Sequence, residues 1–420
     1  MIVIRGASVL TGSGLTKTDV AIENGVVSRI GSIDPAAADH VVTADGCVLG
    51  PGLVDVHVHL REPGQTWKED IASGTEAAAE GGFTAVVAMP NTEPAIDSAK
   101  VTRQVQESAA RSARIEVAVA GALTRTRSGL EMADIDGMYR AGVRIFTDDG
   151  DSVADPGVLR RLMRYLSDFP DAVIAQHAED QSIGEGGHLH EGRVSRRLGV
   201  VGLPATAETA VIARDLELVA ETGCRYHAQH ISTARSAELI EQAKSRGLPV
   251  TSEVTPHHLS LTDEECSGLD PNVKMYPPLR TRDDVDALRE ALKNGVIDMI
   301  ATDHAPHAPD EKGVAFEVAP RGITGLETAF PLGLEALDRD IELLFQRMAI
   351  APAQLAGLSR HGVIPAPGSP ANLVLVDPNA RWTVEGFRSK SSNSPFVGRE
   401  MTGRVVATIH EGEFVSGGIQ

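Results

Sequence analysis

The sequence predicts an α/β protein built on a (β/α)₈ TIM barrel, with a small β-sandwich domain assembled from both ends of the chain. Strand-length apolar runs alternate with helical stretches through the middle of the 420 residues, whereas both ends are rich in short strands. Eight such runs in series with intervening helices are typical of this barrel. We therefore assign residues 51–364 to the barrel and residues 1–50 and 365–420 to a composite β domain.

The barrel prediction depends on the spacing of the apolar runs. Eight of them have strand length: Leu53–His59, Phe83–Met89, Ile115–Ala120, Val143–Phe146, Ala172–Gln176, Arg225–Gln229, Val250–Val254 and Val296–Ala301. Helices are predicted between most of these runs, at Glu69–Glu80, Ser98–Arg111, Asp155–Ser167, Ala207–Glu221 and Thr233–Arg246. After the seventh run, a long irregular insertion extends from Thr255 to Pro278.

The two ends of the chain carry a different pattern. Short strands are predicted at Ile2–Ile4, Asp19–Glu23, Val26–Ile30, Ala371–Val376 and Arg404–His410. Asn24-Gly25 between apolar runs is a strong hairpin signal, and Glu411-Gly412 marks another turn. Because strands at opposite ends can be completed only by each other, we expect them to share one β domain.

Composition excludes several classes of protein. The formal net charge of −19 disfavours nucleic acid and anionic membranes as partners, because like charges repel. A small anionic substrate stays compatible, since a bound metal and a few arginines can reverse the sign locally. The three cysteines form no CxxC pair, and no apolar stretch reaches the ~18 residues of a membrane span. We therefore expect a cytoplasmic protein.

Side chains able to bind a metal follow the ends of the predicted barrel strands. His57 and His59 close the first run, Asp148 and Asp149 follow the fourth, and three more end later runs: His177, His230 and Asp303. Alone, an HxH pair or an Asp-Gly turn has ordinary explanations. Their shared position at the C-terminal ends of strands, where barrel active sites form, predicts a metal site. Imidazole and carboxylate ligands favour zinc, with manganese or cobalt as replacements.

Other histidines receive structural interpretations. His190 and His361 lie in predicted loops and are expected to be solvated. His227 precedes His230 by three residues, so we expect it to face away from the site and pack in the core.

Two segments resemble the signatures of the dihydroorotases, a family of the amidohydrolase superfamily. Pro51–Arg61 (PGLVDVHVHLR) resembles the first signature, and Ala301–His307 (ATDHAPH), followed by Lys312, resembles the second. The resemblance extends over nearly the whole chain. It implies the bacterial type I dihydroorotases, cyclic amidohydrolases that interconvert dihydroorotate and N-carbamoyl-aspartate in pyrimidine biosynthesis.

Carried over position by position, the resemblance implies two zinc ions that share one aspartate. The implied ligands are His57, His59, Asp149 and Asp303 for the first ion, and Asp149, His177 and His230 for the second. Asp303 is also the implied catalytic residue, because it can take a proton from the attacking water and deliver it to the departing ring nitrogen.

The resemblance also implies substrate contacts by His59, Arg61, Asn91, Tyr276, His307, Arg321 and Gly322. Arg61 offers a planar fork suited to a carboxylate, although a surface salt bridge to Glu62 or Glu69 is the alternative. Tyr276 stands where relatives commonly have an Asn that contacts the substrate, so we expect a different contact or none. The proline-rich segment 306–320 is predicted to be a mobile lid.

Two alternatives stay open at this stage. Dihydropyrimidinases, hydantoinases and allantoinases are similar but bridge their metals with a carboxylated lysine after the fourth strand, and residues 141–151 contain no lysine. Catalytically silent dihydroorotase-like chains, which assemble with aspartate transcarbamoylase, resemble this sequence apart from lost ligands. All six ligand positions are filled here, which favours an enzyme. We expect a homodimer, with a transcarbamoylase complex as the open alternative.

Overall fold

The computed structural model describes residues 1–418 and contains a long series of strands. Their bounds are β1 Ile2–Thr11, β2 Gly14–Glu23, β3 Val26–Gly31, β4 His40–Thr43, β5 Val48–Pro51, β6 Leu53–Val58, β7 Phe83–Ala88, β8 Glu116–Val119, β9 Ile145–Phe146, β10 Val173–Gln176, β11 Leu189–His190, β12 Gly202–Leu203, β13 Tyr226–Ala228, β14 Val250–Val254, β15 Met299–Ile300, β16 Leu373–Thr383, β17 Glu400–His410 and β18 Glu413–Gly417.

Helices separate most of the central strands. They are α1 Ile71–Glu80, α2 Ala99–Ser112, α3 Ile135–Arg140, α4 Pro156–Leu166, α5 Arg193–Leu198, α6 Thr206–Thr222, α7 Ala234–Ser245, α8 Arg282–Lys293, α9 Pro309–Lys312, α10 Ala329–Ala336, α11 Ile341–Phe345 and α12 Ala351–Ala356. A π-helical turn at Gln346–Ile350 joins α11 to α12. Within residues 1–418, no helix combines the length and the apolar character that a membrane crossing requires.

The central strands form two parallel sheets. Their orders are β6-β7-β8 and β9-β10-β13-β14-β15. Single parallel bridges join the two sheets at both seams, between Gly121 and Phe146 and between Val58 and His304. Each of the eight predicted strand runs contains one of these strands. Because the strands are parallel, their C-terminal ends lie on the same side of the molecule.

The helix α4 shows how local sequence produces this arrangement. The Asp155 side chain accepts a hydrogen bond from the Val158 amide at 2.9 Å, and Pro156 occupies the first turn, so the helix begins there. Its buried side chains recur every three to four residues along one face: Val158, Leu159, Leu162, Met163 and Leu166. Burial of each such side chain contributes about 1.5–3 kcal/mol and holds the helix against the parallel strands.

Strands from both ends of the chain share one eight-stranded sheet. Its order is β18-β17-β16-β5-β1-β2-β3, with β4 beside β1. The joint between the two ends is the antiparallel pairing of β16 with β5, from Leu373 opposite Pro51 to Val376 opposite Val48. Strands from the two ends therefore pair in one sheet, and their assignment to a separate composite domain stays a prediction.

Candidate active site

The ends of the parallel strands bring the predicted metal ligands together. The Nε2 atom of His57 lies 3.2 Å from Asp149 Oδ1, and that of His59 lies 2.9 Å from Asp303 Oδ1. His230 Nε2 is 3.9 Å from the same Asp149 oxygen. All of these residues are buried, so their side chains face one another in a space that bulk water hardly reaches.

Two groups of three residues have ligand atoms close enough to hold a metal ion. Within each group the atoms lie no more than 4.8 Å apart, and the groups are His57, His59, Asp303 and His57, Asp149, His230. His177 lies outside both groups, but its Nδ1 is 2.9 Å from His230 Nε2. The arrangement therefore brings all six predicted ligands together, and His57 belongs to both groups.

One nitrogen atom shows directly that the cluster fits a metal. His57 Nδ1 donates a hydrogen bond to Glu253 Oε1 at 2.6 Å, which leaves the proton on that nitrogen. His57 Nε2 is buried and has no hydrogen-bond partner within the described residues. A buried polar atom without a partner is costly, and a cation between His57 and the carboxylates would satisfy it.

The protonation states of three predicted ligands also suit a divalent cation. Burial and the neighbouring His230 lower the pKa of His177 to about 3, and burial and His57 lower that of His230. Burial opposes ionisation of Asp149, but the positive charge of His57 and nearby imidazoles holds its pKa well below the usual range. Neutral imidazoles and an ionised carboxylate are the forms that bind metals.

The backbone turns sharply where the site residues leave their strands. His230, Asp303 and Arg61 have φ angles of 30°, 47° and 58°. Side chains other than glycine seldom adopt this left-handed region, and such residues cluster at functional sites.

The structure distinguishes the two adjacent aspartates after β9. Asp148 accepts hydrogen bonds from the Thr124 amide at 3.0 Å and from the Thr124 hydroxyl. Its carboxylate is therefore occupied by a neighbouring loop, whereas Asp149 faces the histidines. Sequence alone places both residues at the strand end, and only the packing of Thr124 separates them.

A cavity of about 160 Å³ opens beside the histidines and contains every predicted substrate contact. It is lined by His59, Arg61, Asn91, Asp149, Gly150, His177, His230, Tyr276, Asp303, Ala305, His307, Arg321 and Gly322.

Arg61 is the most buried cation of this cavity. Its Nε donates to the Pro306 carbonyl at 3.3 Å, and burial lowers its pKa to about 10, so the guanidinium stays charged near neutral pH. The alternative salt bridge is not formed, because Glu62 accepts from the Ile71 amide and Glu69 pairs with His304. Arg61 therefore faces the cavity with charge available for an anion.

Tyr276 belongs to a group that the sequence did not predict. Its ring centroid is 4.5 Å from that of His177, and Arg321 Cζ lies 4.0 Å from the Tyr276 ring centroid. The Tyr276 hydroxyl donates to the buried carboxyl of Glu179. Burial, followed by the charge of Glu179, raises the pKa of Tyr276, which keeps the phenol protonated.

Two buried lysines attach the segment 306–320 to the loop before α8. Lys274 Nζ donates to the carbonyls of Phe316, Glu317 and Ala319 at 2.7, 3.0 and 2.8 Å. Lys312 Nζ donates to the carbonyls of Pro271, Lys274 and Pro320. Five of these six hydrogen bonds join the segment to the loop, and the bond from Lys312 to Pro320 lies within the segment, whose mobility stays a prediction.

Three histidines differ from their sequence interpretation. His190 and His361 are buried instead of solvated, with His190 Nδ1 3.2 Å from Arg280 Nη1 and His361 Nδ1 3.0 Å from the Thr84 hydroxyl. His227 is buried as expected, but its Nε2 donates to Glu253 Oε2 at 3.1 Å, and Glu253 also binds His57. The prediction that His227 faces away from the site was therefore wrong.

Comparison with known proteins identifies the family. A family model described as "Dihydro-orotase-like" matches residues 46–236. The sequence is 46% identical over 414 residues to the dihydroorotase of Streptomyces coelicolor, which covers 96% of each chain. It is 42% identical over 422 residues to the dihydroorotase of Geobacter metallireducens, which covers 99% of each chain. The chain belongs to the dihydroorotase family.

Solved structures of other amidohydrolases share the fold of this dihydroorotase-family chain. L-hydantoinase from Arthrobacter aurescens has a TM-score of 0.88 and 26% identity, covering 100% of this chain and 97% of that chain. Dihydropyrimidinase from Brevibacillus agri has a TM-score of 0.85 and 25% identity, covering 99% and 95%. Their architecture is shared, whereas the dihydroorotases share far more of the sequence.

Proposed function

We propose that this dihydroorotase-family chain catalyses the reversible, zinc-dependent interconversion of dihydroorotate and N-carbamoyl-aspartate in pyrimidine biosynthesis. The observation that carries the proposal is the convergence of six metal-binding side chains, with Asp149 between His57 and His230, on one small cavity that also contains Arg61. A metal centre beside a buried cation suits a cyclic amide that bears a carboxylate.

We further propose that the site holds two zinc ions. The first would bind His57, His59, Asp149 and Asp303, and the second would bind Asp149, His177 and His230. Zinc supplies Lewis-acid polarisation of the amide carbonyl and lowers the pKa of water toward neutrality. The unpartnered His57 Nε2 and the all-imidazole and carboxylate donor set support this assignment.

Asp303 is the proposed proton carrier. It lines the cavity, and His59 Nε2 lies 2.9 Å from its Oδ1. In hydrolysis, the carboxylate takes a proton from the attacking water and returns it to the ring nitrogen as the C–N bond breaks. Cyclisation uses the same group in reverse, because both directions pass through one transition state.

Arg61 is the proposed anchor for the substrate carboxylate. Its guanidinium can offer two parallel hydrogen bonds, while Asn91, His307 and the backbone of Gly322 line the same cavity. His59 Nδ1 is 2.9 Å from Asn91 Oδ1, so a proposed metal ligand contacts a proposed substrate-binding residue. A charged pocket of this kind can attract an anion to a protein whose net charge is −19.

The hydantoinase alternative is tested by substrate choice. Purified protein is assayed with dihydroorotate, hydantoin and allantoin side by side, at equal concentration and zinc loading. The proposal expects dihydroorotate to have the highest kcat/KM, because only that ring carries a carboxylate for Arg61. Faster turnover of hydantoin or allantoin would overturn it.

We also propose the finer architecture and assembly. The bridges at both seams support a closed (β/α)₈ barrel at residues 51–364, and the pairing of β16 with β5 supports a β-sandwich domain from residues 1–50 and 365–420. A cytoplasmic homodimer is the proposed state. Association with aspartate transcarbamoylase is the second candidate, and light scattering with and without that enzyme separates the two.

A further inference from the structure

The buried carboxylate of Glu253, on β14, contacts two of the proposed ligands. These are His57, which belongs to both groups of metal-binding residues, and His230, which belongs to one. Glu253 Oε1 accepts the His57 Nδ1 hydrogen bond at 2.6 Å and one from the His230 amide at 3.3 Å. Its Oε2 accepts from His227 Nε2 at 3.1 Å. Glu253 is 1% exposed and lines no part of the cavity, so it touches ligands and not the substrate.

The contact with His57 fixes which nitrogen faces the carboxylates. A carboxylate accepts hydrogen bonds only, so His57 must carry its proton on Nδ1. His57 Nε2 then faces Asp149 Oδ1, 3.2 Å away. The carboxylate thus holds the ring with its Nε2 edge turned to the site, which is the orientation that a metal ligand requires.

The contact with His230 acts on the backbone. His230 has a φ of 30°, which is unfavourable for a residue with a side chain. The hydrogen bond from its amide to Glu253 lies at this turn and stabilises it. One carboxylate therefore orients the ring of His57 and the main chain of His230.

A third contact holds the carboxylate itself in place. His227 Nε2 donates to Glu253, and His227 Nδ1 is 2.8 Å from the Thr251 hydroxyl, which donates to it. The hydrogen bonds that link Thr251, His227 and Glu253 thus connect the site to the strands β13 and β14. Every donor and acceptor along it has a partner.

We infer that Glu253 is a positioning residue of the metal centre, which orders His57 and His230 for the two ions through one carboxylate. The inference rests on the proposed function, since it requires that the cluster binds metal. An amide cannot replace this group, because Gln offers a single acceptor oxygen and would turn an N–H toward one of the three donors.

The test is zinc binding to Glu253→Gln, measured by competition with a chromophoric chelator on the whole protein. Partners of this kind typically contribute 10- to 100-fold in metal affinity, so we expect a loss of about that size. After reconstitution with cobalt, the visible spectrum of Glu253→Gln should differ from that of the unmodified protein, since the His57 ligand is reoriented. At saturating metal, kcat for dihydroorotate should fall while KM changes little.

Asp215→Asn is the matched control. Asp215 on α6 is fully buried and accepts from three side chains, Gln176, Tyr226 and Arg214, none of which is a proposed ligand. It should lose folding stability like Glu253→Gln but keep the zinc affinity and the cobalt spectrum. If Glu253→Gln does not fold, Glu253→Asp is measured in the same way. The shorter aspartate side chain keeps the negative charge but places it farther from His57.

The outcomes separate the inference from the proposed function. Zinc affinity and a cobalt spectrum equal to those of the unmodified protein, in Glu253→Gln or in its Asp substitute, would overturn the inference. An equal loss of zinc affinity in Asp215→Asn would also overturn it, by making the effect one of general stability. Failure of the unmodified protein to bind zinc would instead overturn the proposed metal centre.

Discussion

The two sides of the active-site cavity are built differently. The metal side consists of residues at the ends of parallel strands, and its six proposed ligands are each at most 7% exposed. The substrate side consists of residues on loops, among them Asn91, Tyr276 and Arg321, which are only partly buried. The sheets thus determine where the residues of the metal side lie, and the loops determine where those of the substrate side lie.

The difference shows how each side achieves its geometry. The proposed metal ligands are oriented by hydrogen bonds from within the strands, as with Glu253 and His57. Loop residues are instead held by backbone carbonyls and stacking, as when Arg321 donates to the Gly187 carbonyl at 2.5 Å and stacks on Tyr276. We therefore expect changes on the metal side to affect chemistry most, and changes on the substrate side to affect recognition.

The largest effect is predicted for Asp303→Asn. The amide cannot carry the proton between water and ring nitrogen, and general acid–base catalysis typically contributes about 10²–10⁴-fold. We expect kcat for dihydroorotate to fall by that factor at saturating zinc, in steady-state assays with metal content verified. A variant with kcat within a few-fold of the unmodified enzyme would remove Asp303 from the proton path.

Arg61→Lys is expected to have the next largest effect, on the substrate side. Lysine keeps the charge but loses the planar fork, and a charge-assisted hydrogen bond contributes about 1.5–3 kcal/mol, or roughly 10- to 100-fold. We expect kcat/KM for dihydroorotate to decrease by this factor, while zinc affinity stays unchanged. Weaker zinc binding in Arg61→Lys would contradict the separation of the two sides.

The effect of pH should separate proton chemistry from recognition. N-carbamoyl-aspartate has two carboxylates and dihydroorotate has one, so cyclisation consumes a proton near neutral pH. Each unit fall in pH should therefore favour the ring about tenfold, or ~1.4 kcal/mol. Because the pKa of Arg61 is about 10, its charge is constant from pH 6 to 8, and KM should vary little there.

The measurement follows both directions from pH 6 to 9 on one preparation. Hydrolysis should decline on the acid side, where a proton acceptor is lost, and cyclisation on the alkaline side, where a proton donor is lost. Parallel profiles would contradict a single proton carrier. An equilibrium ratio insensitive to pH would show that a different reaction is catalysed.

The smallest effect is predicted for Tyr276→Phe. The hydroxyl is already engaged with Glu179, so we expect it to make no hydrogen bond to the substrate, and kcat/KM should stay within about threefold. Loss of the donor to a buried carboxyl should lower the free energy of unfolding by about 1–3 kcal/mol, measured by urea denaturation. A tenfold loss of kcat/KM without loss of stability would instead assign the hydroxyl to the substrate.

Sequence patterns placed the proposed metal ligands on one side of the molecule because their positions follow from local periodicity. Each apolar run ends where a strand ends, so His57 and His177 could be placed on one side of the molecule before their distances were known. The choice between Asp148 and Asp149 came from resemblance alone. The physical cause, the binding of Asp148 by Thr124, joins residues 24 positions apart and has no local signal.

The substrate side and the supporting hydrogen bonds were predicted less completely. Glu179 and Glu253 were missed, since a buried glutamate in a loop or strand has no periodic pattern, and its partners come from distant segments. A polar residue within an otherwise apolar strand, such as Glu253 in β14, is the signal that could have indicated it. The amphipathic helix α8 was also missed, although Val285, Leu288 and Leu292 recur at helical spacing.

The central claim is a metal centre that Asp149 completes without a carboxylated lysine. The most direct measurement is dihydroorotate hydrolysis after exhaustive chelation and then return of zinc in buffer free of carbon dioxide. Activity should be absent from the chelated protein and should return fully with zinc alone, because the bridging carboxylate is already part of the chain. Activity in protein shown to be metal-free, or recovery only after bicarbonate is added, would contradict the account.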